Sequence, residues 1–369
     1  MEQLQERGLG EVDGKMRVWL DILTPKQANF IGSLHHRLIS KGFKTVLTTR
    51  EYREVNELLD LKELKAIQVG RHGGGELSDK LLESSKRVSA LAAVIEVQKP
   101  DVAISFSSPE AARVAFGLKI PHYCVCDSPH AEAVCRLTVP LSKRLFTPWV
   151  VPLHAWAKYG IAPRDIVRYR ALDPIVWLPA NSSSHNIPDG LNLDPGKPVI
   201  VVRTPEEFAA YLTDRSSNLS NRVMDIIGKI IEIDEGIQTV VLPRYDVQRE
   251  RLKKRFGNRV IVPEHVIDAI PLMRASSVFV GGGGTMTAEA AMLGVPVISY
   301  YPGDATLVER FLINQGLAER VLDPARIAQR AVAMSKNEDL HEFYRKKSAR
   351  LLQRMEDPLH VIIQRIFRQ

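Results

Sequence analysis

The stretch SSVFVGGGGTMTAEAAMLGVPVIS (276–299) carries the densest chemistry in the chain. A short apolar run ends, four glycines follow (Gly281, Gly282, Gly283 and Gly284), and Thr285 opens a helical pattern. A glycine backbone lets a ligand approach closely and reaches positive φ. The free N–H groups at a helix start, together with the helix dipole, favour an anion such as phosphate. Thr285 is a good N-cap, and Glu289, four residues on, falls on the same helix face. It lies one place too late for a capping box. A carboxylate there can accept hydrogen bonds from a ribose diol while the loop holds a diphosphate. The alternative is a tight strand–helix turn with Glu289 in solvent, although four successive glycines carry an entropic cost that a plain turn does not require. Two other phosphate motifs fail on spacing. Met286 stands where the dinucleotide fingerprint needs its third glycine, and no GxxxxGK(S/T) loop occurs.

Acid–base candidates lie in the first half. Asp127-Ser128-Pro129-His130 follows the apolar run HYCVC (122–126). A carboxylate and an imidazole three residues apart can pair, with Asp127 orienting His130 or acting as the base itself. The competing reading is an N-cap at Asp127 or Ser128 with Pro129 at the first helical position. Arg71-His72-Gly73-Gly74-Gly75 follows the run KAIQVG (65–70) and suits an anionic or sugar ligand, or else is a solvated loop. Asp21, Lys26 and Arg50 stand after apolar runs and are cleft candidates by position only. Cys124 and Cys126 form C-x-C with no second pair, which reads as buried thiols rather than a metal site. His35 and His36 point in two directions from one helix. No metal is expected.

These groups need elements to hold them. From Met16 the chain alternates short Val/Ile-rich runs with longer helical patterns: MRVWLDIL (16–23), a helix over 27–41, FKTVLTT (43–49), KAIQVG, a helix over 77–97, DVAISF (101–106), a helix from Glu110, and PHYCVC (121–126). Continuous apolar strands alternating with helices define a parallel sheet covered on both faces. The pattern breaks at WLPANSSSHNIPDGLNLDPGKP (177–198), which is linker chemistry. It restarts with PVIVVR (198–203), a helix over 218–231, TVVLPR (239–244), a helix over 247–256, RVIVP (259–263), SSVFV and VPVISYY (295–301). The organisation expected is an α/β fold of two Rossmann-like, doubly wound parallel-sheet domains (16–176 and 198–350) facing a cleft, joined by a linker (177–197). The tail 351–369 forms a helix. Its last part, LHVIIQRIFRQ, is amphipathic. It reads as packing back on the first domain, with peripheral membrane contact as the other possibility. Ligands of such sheets bind beyond the strands' carboxyl ends.

Composition sets the bounds. The chain has 369 residues, 45% hydrophobic and 25% charged, which fits two globular domains and excludes disorder as the main state. No apolar run reaches membrane-spanning length, residues 1–15 lack a signal-peptide core, and three cysteines make no disulfide framework. A cytoplasmic protein is expected. The formal charge of +7 weakly favours anionic partners. Nucleic acid is not expected, because no motif or aromatic-rich basic patch supports it.

Gly281–Pro296 resembles the nucleotide-binding motif of GT-B enzymes, including the MurG-type peptidoglycan glycosyltransferases and the UDP-N-acetylglucosamine 2-epimerases. The whole chain from Met16 more closely resembles an uncharacterised archaeal and bacterial GT-B-like family. That resemblance is carried by DILTPKQANF (21–30), GRHGGGELSDKLLESS (70–85), RVAFGLKIPHYCVCDSPHA (113–131), RLTVPLSKRLFTP (136–148) and IVRY (166–169). It implies a nucleotide-sugar site in the second domain, with the base at Pro263–Ile267 around Val266, the diphosphate on the glycine loop, the ribose on Glu289 and Arg203 beside the phosphates. The first domain would hold the acceptor and the catalytic groups His130, Asp127 and His72. The sequence departs from the epimerases at Ser107 and Ser108, where they carry an aspartate, and at Cys-Val-Cys-Asp (124–127), where they have His-Val-Glu. It departs from MurG at Leu23-Thr24-Pro25-Lys26, where MurG is glycine-rich. The function expected is metal-independent transfer of a sugar from a nucleotide donor, UDP-linked, to an unidentified acceptor. Epimerisation or hydrolysis of a nucleotide sugar and non-catalytic nucleotide binding are the alternatives. No cofactor beyond that substrate is expected, and a homodimer is left open.

Overall fold

The computed structural model of the protein describes residues 16–178, 191–206 and 216–367. Most of the expected linker, 179–190, lies outside them. The first sheet holds seven parallel strands: β1 (Arg17–Ile22), β2 (Lys44–Glu51), β3 (Ile67–Arg71), β4 (Val102–Ser105), β5 (His122–Val125), β6 (Arg144–Pro148) and β7 (Ile166–Tyr169), in the order β3-β2-β1-β4-β5-β6-β7. The second holds five: β8 (Val199–Arg203), β9 (Gln238–Leu242), β10 (Val278–Gly281), β11 (Val297–Ser299) and β12 (Glu319–Arg320), in the order β12-β11-β10-β8-β9. The fold is thus the expected pair of parallel α/β domains. RVIVP does not form a strand; Ile261 makes an isolated bridge to Val240.

Strand order reverses between β1 and β4 in the first sheet and between β8 and β10 in the second. Loops at such switch points diverge and open a crevice. The segments after β1, β4, β8 and β10 all meet there. Helix Pro25–Ser40 shows how sequence places one of them. Thr24 caps it, accepting from the Gln27 N–H at 3.4 Å, Pro25 supplies the first helical φ, and Ile31, Leu34 and Leu38 bury one stripe. Lys26 therefore projects from the first turn, directly beyond β1.

The most demanding interior group is Asp21, the fifth residue of β1. It is 1% exposed. Arg87, equally buried, donates to both its oxygens at 2.7 and 3.1 Å, and Thr48 and Ser108 each donate to it at 2.6 Å. A buried carboxylate is tolerable only when its charge and its lone pairs are both met. Asp21 is therefore a structural anchor that ties β1 to β2, to helix Leu77–Gln98 and to the start of helix Pro109–Gly117.

The C-terminus returns to the first domain. Leu359, Ile362 and Ile363 of helix Pro358–Phe367 enter the core of β1, and Phe367 lies 4.4 Å from Phe43 between ring centroids. Among the described residues, no helix is long and apolar enough to cross a membrane.

Candidate functional site

A cavity of about 510 Å³ lies between the domains. Its volume falls in the range of small-ligand pockets. Its first-domain wall comes from the segments after β1, β4 and β5, including Lys26, Ser107, Asp127 and His130. Its second-domain wall comes from Arg203, Arg244, Gly282, Gly283, Gly284, Thr285 and Glu309.

Lys26 is the hub of the first wall. Its Nζ lies 2.5 Å from Asp127 Oδ2 and 2.8 Å from Asp173 Oδ2, and 4.4 Å from the centre of the Phe106 ring. Burial alone would lower the lysine's pKa, but the two carboxylates raise it, so Lys26 stays charged. Burial also favours protonation of Asp127, and there Lys26 prevails and holds it ionised. Burial wins at Asp173, whose pKa is raised, with the Asp127 charge adding to it. The two carboxylates thus differ: Asp127 is the anion, and Asp173 is the one that takes a proton first. Tyr169 donates to Asp173 at 2.5 Å.

Asp127 does not begin a helix. The helix that follows runs Glu132–Thr138 with Ala131 at its cap, so the capping alternative for Asp127 and Ser128 is not realised. Its free oxygen accepts from the Ser128 hydroxyl at 2.8 Å. His130 lines the same cavity, and the surrounding protein disfavours its imidazolium, so its pKa is lowered although Asp127 pulls the other way. A neutral imidazole beside a fixed carboxylate can accept a proton at neutral pH.

His72 is placed elsewhere. It does not line the cavity; its ring stacks on Tyr52 at 4.8 Å and its Nδ1 accepts the Gly74 N–H at 3.0 Å. Burial and the neighbouring Arg50 push its pKa down to about 4. The structure thus does not bring His72 to the cavity beside His130 and Asp127, where the sequence reading placed it. Arg71 beside it is exposed and pairs with Glu83 at 3.1 Å.

The glycine loop has the shape its sequence implies. Gly283 and Gly284 take φ of +79° and +85°, and a Cβ on Gly281 would stand 2.5 Å from the Phe279 ring. Gly284, rather than Thr285, is the N-cap of helix Thr285–Met292. Thr285 is its first residue, and no side chain caps the N–H groups of this helix start.

Glu289 is buried and is not among the residues that line the cavity. Its Oε1 accepts the Trp177 indole N–H at 2.7 Å, and burial raises its pKa to about 7. Trp177 belongs to the connector between the domains. The structure thus gives Glu289 a contact to this connector through one of its two carboxylate oxygens. Arg203 does line the cavity, at the end of β8, but its guanidinium donates to Glu54 of the first domain at 2.8 Å and to the Pro243 carbonyl at 3.1 Å. The Val266 N–H, the expected base contact, donates to Glu57 at 2.9 Å.

Sequence reasoning missed Asp173 and Glu309. Asp173 lies just beyond β7, in a short Leu-Asp-Pro turn with no motif around it. Glu309 follows Thr306 by three residues, the spacing of a helix capping box, so its pattern reads as a cap.

With this geometry in view, the class is clear: two parallel-sheet α/β domains of GT-B type. The chain belongs to the family described as "Protein of unknown function (DUF354)", whose model matches residues 16–369. It is 31% identical over 308 residues to "Uncharacterized protein MJ0665" of Methanocaldococcus jannaschii, covering 81% of this chain and 85% of that one. Among solved structures it is similar to the UDP-GlcNAc 2-epimerase of Neisseria meningitidis bound to UDP-GlcNAc, with TM-score 0.74, 17% identity, and 96% and 100% of the two chains covered. It is also similar to the spinosyn rhamnosyltransferase SpnG, with TM-score 0.60, 14% identity, and 94% and 99% covered. Epimerases and glycosyltransferases thus share its fold.

Proposed function

We propose that the protein is a nucleotide-sugar-dependent enzyme that transfers a sugar to an acceptor hydroxyl in the interdomain cavity. The observation that carries this reading is the opposition of the glycine loop and helix N-terminus on one wall to Asp127 and His130 on the other. The loop N–H groups and Arg203 would hold the diphosphate. His130 would take the proton from the acceptor oxygen as that oxygen bonds to the sugar's C1. The bond from C1 to the diphosphate oxygen breaks, and the nucleoside diphosphate leaves with the electron pair. Lys26 keeps Asp127 ionised, and that carboxylate stabilises the imidazolium that forms. UDP is the nucleotide chosen, since an epimerase of this fold is described with UDP-GlcNAc bound.

The test is to incubate the protein with UDP-GlcNAc, with and without an acceptor pool, and to follow UDP and sugar products. UDP release that requires acceptor and is lost in His130→Ala supports transfer. An epimer or free sugar formed without acceptor replaces transfer with epimerisation or hydrolysis. Binding without any turnover supports the non-catalytic reading.

A further inference from the structure

We infer that Arg50 binds an anionic group of the acceptor, a carboxylate or a phosphate, so that the acceptor hydroxyl belongs to an acidic small molecule. The inference rests on the transfer reading above and deepens it by naming the acceptor's chemical class.

Four cationic side chains line the cavity: Lys26, Arg50, Arg203 and Arg244. Three have carboxylate partners. Lys26 pairs with Asp127 and Asp173, Arg203 with Glu54, and Arg244 with Glu206 at 3.5 Å. Arg50 differs. Among the described residues, nothing hydrogen-bonds to its guanidinium, and no carboxylate lies within ion-pair distance of it. The residue is half-buried, and Nε is its buried, unpartnered nitrogen; the two terminal nitrogens, equally unpartnered, keep accessible surface.

The nearby carboxylates are already engaged. Arg87 holds Asp21 at 2.7 Å and Glu110 at 3.8 Å. Burial works against the Arg50 charge; Glu110 opposes that effect, and Arg87 adds to it. A guanidinium nevertheless stays protonated in a protein, and its planar fork of N–H donors matches a carboxylate or a phosphate. A permanently charged donor at a cavity wall, half-desolvated and without an internal partner, is a place for an anion from a ligand.

Position in the fold says which ligand. Arg50 stands near the end of β2, where the pairing with β3 shifts register between Thr49 and Glu51. A bulge of this kind re-aims the side chains beside it. The groups whose charges act most on Arg50, namely Glu110, Arg87, Asp21 and Tyr52, all belong to the first domain, the acceptor's side in the reading above. The donor's diphosphate has its own helix start and arginine on the second. In the first sheet β1 and β4 lie between β2 and β5. At ordinary strand spacing that separates the ends of β2 and β5 by about 14 Å. Arg50 and the Asp127–His130 segment thus stand well apart along one wall. An acceptor that spans them presents its anion to Arg50 and its hydroxyl to His130.

The experiment is calorimetric titration of the full chain, saturated with UDP, with glycerol 3-phosphate, glycerate and glycerol. UDP occupies the donor's phosphate contacts, so an added anion reports on what remains. The three probes share a polyol and differ in carrying a phosphate, a carboxylate or no charge. Wild type is compared with Arg50→Gln and Arg50→Lys. The better of the two anions is expected to bind wild type at least about tenfold tighter than glycerol, the range for a hydrogen bond to a charged group, and which one is better tells phosphate from carboxylate. Arg50→Gln should erase that preference, and Arg50→Lys should recover part of it. Both variants should bind UDP within about twofold of wild type. Their melting temperatures should be unchanged, because Arg50 has no internal hydrogen bond to lose. A loss of UDP affinity in Arg50→Gln would assign the arginine to the donor and overturn the inference. So would a wild type that prefers neither anion over glycerol. Both outcomes leave the nucleotide-sugar reading standing. A wild-type chain that binds no UDP removes that reading, and the anion preference of the unloaded chain, with and without Arg50, then decides the anion site by itself.

Discussion

Arg203 of the second domain donates to Glu54 of the first at 2.8 Å, across the cavity's edge. Burial alone would raise the Glu54 carboxyl's pKa, but Arg203 and Arg244 hold it below the usual range. One turn further along the same helix, Arg53–Leu61, Glu57 accepts the Val266 N–H at 2.9 Å. Residues three apart share a helix face. Two carboxylates of one domain therefore occupy the two groups of the other that are proposed for a nucleotide: Arg203 for the phosphates and the Val266 N–H for the base.

Glu54→Gln should then strengthen nucleotide binding. The carboxylate competes with phosphate for Arg203, and its neutral amide competes less. The expected gain for UDP is about fivefold, roughly 1 kcal/mol, and it should shrink as salt is raised. Calorimetry at two ionic strengths measures it. Weaker binding in the variant would mean that Glu54 orients Arg203 for the ligand rather than blocking it.

Glu289 predicts a pH effect on stability. Its carboxyl titrates near 7 in the folded protein, against 4.5 for an unperturbed group. The folded state thus holds the proton more tightly than the unfolded chain. The associated stability is complete below about pH 4.5 and is lost as pH rises through 7. A shift of this size corresponds to about 3 kcal/mol. Glu289→Gln, which still accepts from Trp177, should abolish that decline. Thermal melts at pH 5 and pH 8 should show the variant gaining on wild type at the higher pH. An unchanged difference between the two pH values refutes the assignment.

The division between what could be read and what could not follows the range of the interactions. Strand runs such as PVIVVR and SSVFV are continuous apolar segments, so both sheets were legible from local pattern, as was the glycine loop. RVIVP has the same pattern but stays outside the sheet apart from one bridge, because strand pairing is a tertiary outcome. Side-chain direction was less legible. Glu289 and Glu309 are both helix carboxylates near the loop. The first reads as the ligand contact and meets Trp177; the second reads as a cap and reaches the cavity. Partners more than 100 positions away in sequence decided the first, as with Trp177 and Glu289. The roles of Glu54 and Glu57 depend on the opposite domain, which no local window contains.

Gly283 and Gly284 should separate strain from obstruction. Both hold positive φ, so alanine at either costs roughly 1–2 kcal/mol of backbone strain. A Cβ on Gly284 meets nothing within 4 Å, whereas one on Gly283 meets the Glu309 carboxylate. The two alanine variants should melt at similar temperatures. Gly283→Ala should lose more nucleotide-sugar affinity than Gly284→Ala. Equal affinities would show that obstruction at Gly283 plays no part in binding.

Asp21 predicts the opposite signature, a large effect on stability and none on specificity. It stands at the carboxyl end of β1, where position alone makes it a site candidate, yet all its contacts are interior. Removing one partner of a buried pair strands the other, which costs about 3–5 kcal/mol. Arg87→Met alone should therefore destabilise the first domain severely, because Asp21 keeps its charge and loses its cation. Adding Asp21→Asn should recover part of that loss, since one stranded charge disappears. The amide oxygen can still accept from one of Thr48 and Ser108, which donate to different carboxylate oxygens, while Glu110, 3.8 Å from Arg87, remains without its cation. Denaturant melts of the two single variants and the double variant measure the coupling. UDP affinity at a temperature where each remains folded should match wild type. A double variant no more stable than Arg87→Met would mean that the guanidinium acts through its bond to the Val69 carbonyl and its packing against helix Leu77–Gln98, with the Asp21 charge a minor part.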